Sequence, residues 1–215
     1  AAMVEAVDQR LGRIIATLEE LGLADNTIII FFADNGGMSA ANGTPFRVFK
    51  EDQLDKIYST SNLPLRGAKG WLYEGGIRIP LLIKPSYYSG EARVSKEQVI
   101  GHDFYPTFIT IAGIDPDTTQ QIDGVDLSPI LFENKTLDRK ELFWHYPHYH
   151  GSAWTPGAAI RQGDWKLIEF YESNTVELYN LSDDISESLD LSLELPDKTA
   201  ELLTRLHELQ KSMNA

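Results

Sequence analysis

Two short segments of the chain carry side chains that could take part in chemistry. The first is the pair Asp34-Asn35, which is followed by two glycines and is separated by one alanine from the apolar run Thr27 to Phe32. A carboxylate beside an amide oxygen supplies two hard ligands for Ca²⁺ or Mg²⁺, and ligand sites of open α/β sheets lie beyond the carboxyl ends of strands. Two ligands do not complete such a site, so others must come from elsewhere. The same residues also form ordinary turns.

The second segment is 65–80, with the sequence LRGAKGWLYEGGIRIP, in which Lys69 stands between two glycines. A lysine on such a loop brings a compact cation and backbone N–H groups close to an anionic oxygen, as of phosphate or sulfate. The segment is not a P-loop, because the GxxxxGK[ST] spacing is absent and we predict a strand after it, at about 77–84. We interpret Glu74 and Arg78 as a structural ion pair.

A third candidate is the stretch 145–151, HYPHYHG, which contains three histidines. We discount a zinc site, because Pro147 breaks helical spacing and no other histidine or cysteine lies near in the sequence. The histidines and neighbouring aromatic residues could instead line a sugar-binding cleft, so we predict His148 and His150 as substrate contacts. A half-buried aromatic turn is the alternative interpretation of the same stretch.

Composition limits the class of protein. The chain has 215 residues, of which 42% are hydrophobic and 24% charged, as in ordinary globular proteins. The net charge of -13 argues against nucleic acid or an anionic membrane surface as the main partner. The chain contains no cysteine, which excludes disulfides, thiolate metal sites and a cysteine nucleophile within it. No apolar run approaches the roughly 18 residues of a spanning helix, so we expect no membrane insertion.

The hydrophobic pattern predicts an α/β fold. A core-facing helix over 2–22 precedes the apolar run, which is typical of a strand buried on both faces. We also predict a short strand at 94–100 and a helix over 102–114. Four aromatic or β-branched runs between 141 and 180 predict an antiparallel meander, and a last helix begins near Leu195. We therefore assign residues 1–134 to the end of an α/β sheet domain and 135–215 to a small α+β subdomain.

In this order, TIIIFFADNGG and LRGAKGWLYEGGIRIP resemble the sulfatase family, and the resemblance continues through HDFYPTFITIAG and AAIRQGDWKLIEFY to VELYNL. LFWHYPHYHG is similar to a stretch of bacterial arylsulfatase-like enzymes. The resemblance implies the alkaline-phosphatase-like fold, hydrolysis of sulfate esters, one bound Ca²⁺ (or Mg²⁺) and a periplasmic or secreted location. By position, Asp34 and Asn35 match the family's metal ligands, and Lys69 matches the lysine that contacts the sulfate, which makes it the predicted catalytic residue.

The chain also departs from the family pattern. Sulfatases carry a Cys-x-Pro-x-Arg or Ser-x-Pro-x-Arg motif, whose first residue becomes the formylglycine nucleophile. The serines at 61 and 89 are followed two places on by Leu63 and Glu91 rather than proline, and the family's early aspartate pair has no counterpart. The chain also begins inside a helical pattern without a capping residue. We therefore interpret it as the C-terminal portion of a sulfatase, inactive alone, with formylglycine on the N-terminal portion of the same enzyme as its partner.

The expected substrate is a sulfated carbohydrate or an aryl sulfate. A related phosphohydrolase of the same superfold would need a two-metal site with more aspartate and histidine ligands. A non-catalytic module that binds a cation or a glycan is the remaining alternative, and it would follow if Ala1 were the true start of the protein. The residues upstream decide between these functions.

Overall fold

The structure is a computed structural model that describes residues 2–39, 60–115, 119–152 and 154–213. The chain divides into two compact units, Ala1–Phe32 with Pro80–Asp138 (unit 1) and Ala33–Ile79 with Arg139–Ala215 (unit 2). This division rests on spatial contacts, and the assignment of 1–134 and 135–215 to two domains stays a prediction.

The helices and strands follow one another along both units. In chain order they are α1 (Ala2–Glu20), β1 (Ile29–Phe32), α2 (Glu74–Ile77), β2 (Leu81–Lys84), α3 (Phe104–Ile111), α4 (Ser128–Glu133), β3 (Leu142–Tyr146), β4 (Gly157–Gln162), β5 (Trp165–Phe170), β6 (Thr175–Asn180) and α5 (Pro196–Ser212). The α/β fold class predicted from the sequence is thereby confirmed.

Unit 1 contains one strand pair and three of the helices. β1 and β2 are antiparallel, with Ile29 opposite Lys84. The predicted helices at the start of the chain and around residue 108 are confirmed as α1 and α3, and Gly113 takes a positive φ of 66° just beyond α3. No helix within the described ranges is long and apolar enough to cross a membrane.

Two predicted strands differ from the structure. The strand predicted at 94–100 is wrong, because Val94 is 95% exposed and no described segment pairs with this stretch. The strand predicted at 77–84 is shortened to β2, because Arg78 N donates to Glu74 O and closes the helical turn α2 instead.

The apolar stripe of α1 is exposed in unit 1. No residue of α1 is buried, and Ile14 is 56% exposed. On β1, Phe32 is 47% exposed, and β2 is the one strand that pairs with it among the described residues. The predictions of a core-facing helix and of a strand buried on both faces are therefore wrong for this structure, since no described surface of unit 1 covers either element.

Unit 2 is built on a four-stranded antiparallel sheet in the order β3-β4-β5-β6. This confirms the predicted meander, whose central hairpin turns at Gly163 with a φ of 58°. The predicted last helix is also confirmed as α5, with Pro196 in its first turn. One face of the sheet packs on α5 through a cluster of fully buried residues: Ala158, Ile160, Leu167, Leu178, Leu202 and Leu206.

The opposite face of this sheet carries a second apolar cluster. It comprises Leu72, Tyr73, Trp154, Ala159, Ile168, Tyr179 and Leu181. Leu72 and Tyr73 belong to the segment that contains Lys69, so this segment packs directly on the sheet. A loop anchored in this way is held by a rigid scaffold, which is how binding residues are commonly positioned.

The packing of α5 predicts a stability effect. Leu206 is 0% exposed, so Leu206→Ala removes buried methyl groups and leaves a cavity, and we expect the free energy of unfolding to fall by about 2–5 kcal/mol. Leu193→Ala is the matched control, because Leu193 is 94% exposed and its loss should change stability by no more than about 0.5 kcal/mol. Denaturant titration followed by tryptophan fluorescence measures both, and equal effects would contradict the assignment of the core.

Candidate active site

The loop after β1 and the loop that contains Lys69 lie against each other in unit 2. Gly36 N donates to Gly76 O at 2.9 Å, and Lys69 N donates to Gly37 O at 3.1 Å. The predicted metal ligands Asp34 and Asn35 immediately precede these glycines in the sequence. The structure thus brings the two predicted functional segments together, and the chemical roles of their side chains stay predictions.

The contact between the loops is closest at Gly36. A Cβ atom built on this residue would lie 1.8 Å from the carbonyl oxygen of Gly75, which is a backbone atom and cannot turn away. Gly36 is also buried. Glycine is therefore required here for the close approach of two backbones, not for a turn alone.

The side chains of Asp34 and Asn35 offer the type of ligand that a hard cation prefers, but two ligands are too few to complete its site. Asp34 is exposed and Asn35 is half-buried, and both present oxygen atoms of the type that Ca²⁺ prefers. Among the described residues, no group of three or more histidine, aspartate or glutamate side chains could hold a metal ion. The pair could therefore form one part of a calcium site whose other ligands lie outside the described residues.

His150 lies beside the Lys69 loop. Its Nδ1 is 2.7 Å from Ser152 Oγ, and Ser152 Oγ lies in turn within donating distance of Lys69 O, at 2.8 Å. A Cβ atom on Gly70 would lie 2.2 Å from the same Nδ1, so the imidazole occupies the space that a side chain would need. Trp71 Nε1 donates to Ser152 O at 2.8 Å and fixes the turn. Lys69 and His150 are therefore brought together.

His148 is placed differently. It is exposed, and its ring packs edge to face on Tyr146 with 5.6 Å between ring centroids. Among the described contacts, none joins it to the Lys69 loop. Its predicted role as a substrate contact stays a prediction. Of the two histidines, His150 is the one that the described hydrogen bonds connect to Lys69, through Ser152 Oγ.

A buried ion cluster lies under the Lys69 loop. Lys166 of β5 is fully buried, and its Nζ is 2.9 Å from Glu74 Oε1 and 2.7 Å from Glu187 Oε1. Glu187 Oε2 also accepts a hydrogen bond from Glu74 N at 2.6 Å. Arg161, which pairs with Lys166 across the strands, is 3.5 Å from Glu74 Oε2. The predicted Glu74–Arg78 pair is present at the longer distance of 3.7 Å.

This cluster fixes α2, and α2 supports the loop that follows β1. Glu74 is the first residue of α2, and the carbonyl of Gly76 in the same turn accepts the bond from Gly36. Burial raises the pKa of the Glu187 carboxyl, and the nearby Lys166 ammonium opposes that rise. The charges of this cluster are paired only when α2 packs against the sheet. An unpaired buried charge would carry a large desolvation cost, so this position of α2 is strongly favoured.

A second set of contacts anchors the segment ahead of Lys69. Arg66 donates to Tyr179 Oη at 2.8 Å and to Glu187 O at 2.9 Å, and its guanidinium lies 3.9 Å from the centroid of the Tyr73 ring. Tyr73 Oη donates to Glu177 Oε2 at 2.5 Å, and burial raises the pKa of Tyr73. Gly75 N of α2 donates in turn to Arg66 O at 2.7 Å, so the loop that carries Lys69 is tied both to β6 and to α2.

Sequence reasoning missed four residues that organise this region, namely Asn62, Ser152, Lys166 and Glu187. Lys166 had a readable signal, because it shares a strand face with Ile168 and Phe170, where alternation predicts an apolar residue. The other three lie in loops, where no periodicity marks a buried polar side chain.

Family comparison identifies the class of protein. Residues 1–114 match the family model described as sulfatase, and residues 68–214 match the one described as N-sulphoglucosamine sulphohydrolase, C-terminal. The chain belongs to the sulfatase family, as the sequence resemblance predicted. Its solved structural neighbours are sulfatases, which have the alkaline-phosphatase-like fold.

Individual relatives agree with this assignment. A sulfatase of Formosa agariphila is 36% identical over 92% of this chain and 36% of its own length. An N-acetylglucosamine-6-O-sulfatase of Bacteroides thetaiotaomicron is 31% identical over 98% of this chain and 35% of its own length. The chain therefore spans little more than one third of these relatives.

Solved structures show the same similarity in three dimensions. One, described as a complex with its substrate D-glucosamine-2-N,6-O-disulfate, has a TM-score of 0.71 and 30% identity over 97% of this chain and 39% of its own. Another, Ps i-CgsB in complex with k-i-k-neocarrahexaose, has a TM-score of 0.75 and 26% identity over 96% of this chain and 41% of its own.

The buried cluster predicts how unit 2 responds to loss of its central cation. Lys166→Met removes the cation that pairs with Glu187 and leaves Glu74 with only the longer contacts to Arg161 and Arg78, so we expect the free energy of unfolding to fall by about 3–5 kcal/mol. Adding Glu74→Gln and Glu187→Gln removes the unpaired charges and should restore much of the loss. Lys198→Met is the control, because the Lys198–Glu201 pair lies at the helix surface and contributes about 0–1 kcal/mol. Denaturant titration checks all three, and equal losses for both lysines would refute a buried pair.

Proposed function

We propose that this chain is part of a sulfuric ester hydrolase that acts on a sulfate ester carried by a carbohydrate. The observation that carries the proposal is the hydrogen bond from Lys69 N to Gly37 O, which joins the lysine loop to the loop of Asp34 and Asn35. Membership of the sulfatase family supports the reaction class.

Groups on both loops would bind the sulfate and offset its negative charge. Lys69 presents a compact ammonium with three donors, which can bind a sulfate oxygen and offset the negative charge that develops in the transition state. Asp34 and Asn35 would hold Ca²⁺ (Mg²⁺ is possible), and the bound ion would supply Lewis-acid stabilisation of the same group. Asp34 is exposed on its loop, so its carboxylate is accessible to a cation.

The nucleophile is not in this chain. The chain has no cysteine and no serine in the motif that is converted to formylglycine. We propose a formylglycine on the N-terminal portion of the same enzyme, so that this chain is inactive alone. The exposed apolar stripe of α1 and the exposed rings of β1 support such a partner, since burial of apolar surface would stabilise its docking.

The substrate is proposed to be a sulfated sugar. His150 lies against the Lys69 loop, and a histidine at that place can hydrogen-bond a hydroxyl of the sugar that carries the sulfate. His148 and the neighbouring Tyr149 are exposed on the same turn, where rings can stack on a sugar face. Two similar proteins support the choice, since one is an N-acetylglucosamine-6-O-sulfatase and the structure of the other contains D-glucosamine-2-N,6-O-disulfate as its substrate.

Replacement of the lysine tests the proposal. In the complete polypeptide, Lys69→Ala removes the cation that binds sulfate, and we expect the turnover of glucosamine-6-sulfate to fall by about 10²–10³-fold. Lys135→Ala is the matched control, because Lys135 is exposed in unit 1 and pairs only with its neighbour Glu133 among the described ion pairs. Ion chromatography of released sulfate measures both variants.

Three outcomes would overturn the proposal. Near-normal turnover by the Lys69→Ala variant would remove the lysine from the site. If the unaltered protein released phosphate from a phosphate ester faster than sulfate from a sulfate ester, the phosphohydrolase alternative would be favoured. Binding of the sugar without hydrolysis would favour the non-catalytic module.

A further inference from the structure

We propose that Asn62 is a positioning residue that fixes the Asp34–Asn35 loop relative to Lys69. The inference rests on the proposed function, because it concerns the alignment of those two segments. It goes beyond the metal and sulfate contacts themselves, since the side chain of Asn62 need touch neither the cation nor the substrate.

The side-chain amide of Asn62 forms two hydrogen bonds with the backbone of Gly37, one through its oxygen and one through its nitrogen. Its Oδ1 accepts a hydrogen bond from Gly37 N at 3.0 Å, and its Nδ2 donates to Gly37 O at 2.9 Å. The side chain thus pairs with Gly37 as a neighbouring β-strand would, although the two residues are 25 positions apart in the sequence. A Cβ atom on Gly37 would lie 2.6 Å from Asn62 Oδ1, so the pairing also needs glycine at 37.

The same amide reaches the lysine loop. Nδ2 of Asn62 lies 3.0 Å from Gly67 O and 3.2 Å from Ser39 Oγ. Ser39 is fully buried, and its Oγ lies 3.4 Å from Gly67 O. One side chain therefore contacts the backbone just after the predicted metal ligands and the backbone just before Lys69.

The two loops meet at the carbonyl of Gly37. This oxygen accepts hydrogen bonds from Asn62 Nδ2, from Lys69 N and from the nearby Ser39 N. Because Asn62 and the lysine loop both bond to this one atom, a shift of Asn62 changes the separation of the metal-ligand loop from the lysine loop. A misplacement of about 1 Å at a reacting centre can cost roughly 10²-fold in rate.

Asparagine is chemically suited to this position. Its amide offers an acceptor and two donors, which match one N–H and two carbonyl oxygens. An ionised aspartate has nearly the same shape but no donor, so it would face Gly37 O and Gly67 O with like partial charge. Asn62→Asp therefore changes the bonding and keeps the volume.

The first test measures the kinetics of the complete polypeptide. We expect Asn62→Asp to lower kcat on glucosamine-6-sulfate by about 10²-fold, with KM changed much less. In a double-mutant cycle, the same substitution should cost far less in the Lys69→Ala background, because the lysine it positions is then absent. A residue that only stabilises the fold would give independent, multiplicative losses.

A second test does not depend on activity. In the Asn62→Ala variant, hydrogen exchange measured by mass spectrometry should be faster in the peptides that contain Gly37 and Lys69. The Gly37 amide loses its acceptor, and the Gly37 carbonyl that accepts from Lys69 N loses the side chain that holds it. Peptides from β4 and β5 should keep their protection, because their amides are paired within the sheet. Ser61→Ala is the matched control, because Ser61 is the exposed neighbour whose Oγ, among the hydrogen bonds of the described residues, accepts the local bond from Leu63 N and no other. It should leave kinetics and exchange unchanged.

The outcomes separate this inference from the proposed function. If Lys69→Ala loses turnover while Asn62→Asp does not, or if the cycle is multiplicative, the positioning role is overturned and the sulfatase site stands. If Lys69→Ala retains turnover, the proposed function fails first. Asn62→Ala removes the bonds without adding a charge and should repeat the kinetic loss. Failure of both Asn62 variants to fold would make Asn62 a stability residue and would also overturn the inference.

Discussion

The structure of unit 2 depends on one buried charge. Lys166 has no exposed surface, and the cost of leaving its ammonium unpaired is met by Glu74 and Glu187. Glu74 opens α2, so satisfying the lysine forces this turn against the sheet in a single position. The carbonyl of Gly76 in the same turn accepts a hydrogen bond from Gly36 N. The pairing of Lys166 on β5 therefore also fixes the position of the loop that carries the candidate metal ligands.

The candidate site lies on loops, and its order comes from the elements beneath them. The four-stranded sheet is covered by α5 on one face and by the lysine segment on the other. Backbone hydrogen bonds and one side-chain amide then join the two loops over that base. Functional groups on loops that a rigid scaffold supports are the usual arrangement in binding and catalytic proteins, and here the scaffold is traceable residue by residue.

Much of the fold was predictable because it follows from periodicity. Alternating strand runs and the leucine spacing of α5 report directly which face is buried, and both were confirmed. The order of the two motifs identified the family and the segment of Lys69. The role of Asn62 was not predictable, because hydrogen bonds between loops far apart in sequence leave no local pattern. The exposure of α1 was not predictable either, since periodicity shows that a face is apolar and not what covers it.

The central claim is that the two joined loops form one sulfate-binding site. A crystal structure of the complete polypeptide grown with Ca²⁺ and a sulfated glucosamine tests it most directly, with anomalous scattering to locate the ion. We expect the ion at about 2.3–2.6 Å from side-chain oxygens of Asp34 and Asn35. We also expect the sulfate within hydrogen-bond distance of Lys69 Nζ. A cation or a sulfate group bound elsewhere, with Lys69 turned away from both, would show that the two loops do not form a sulfate-binding site.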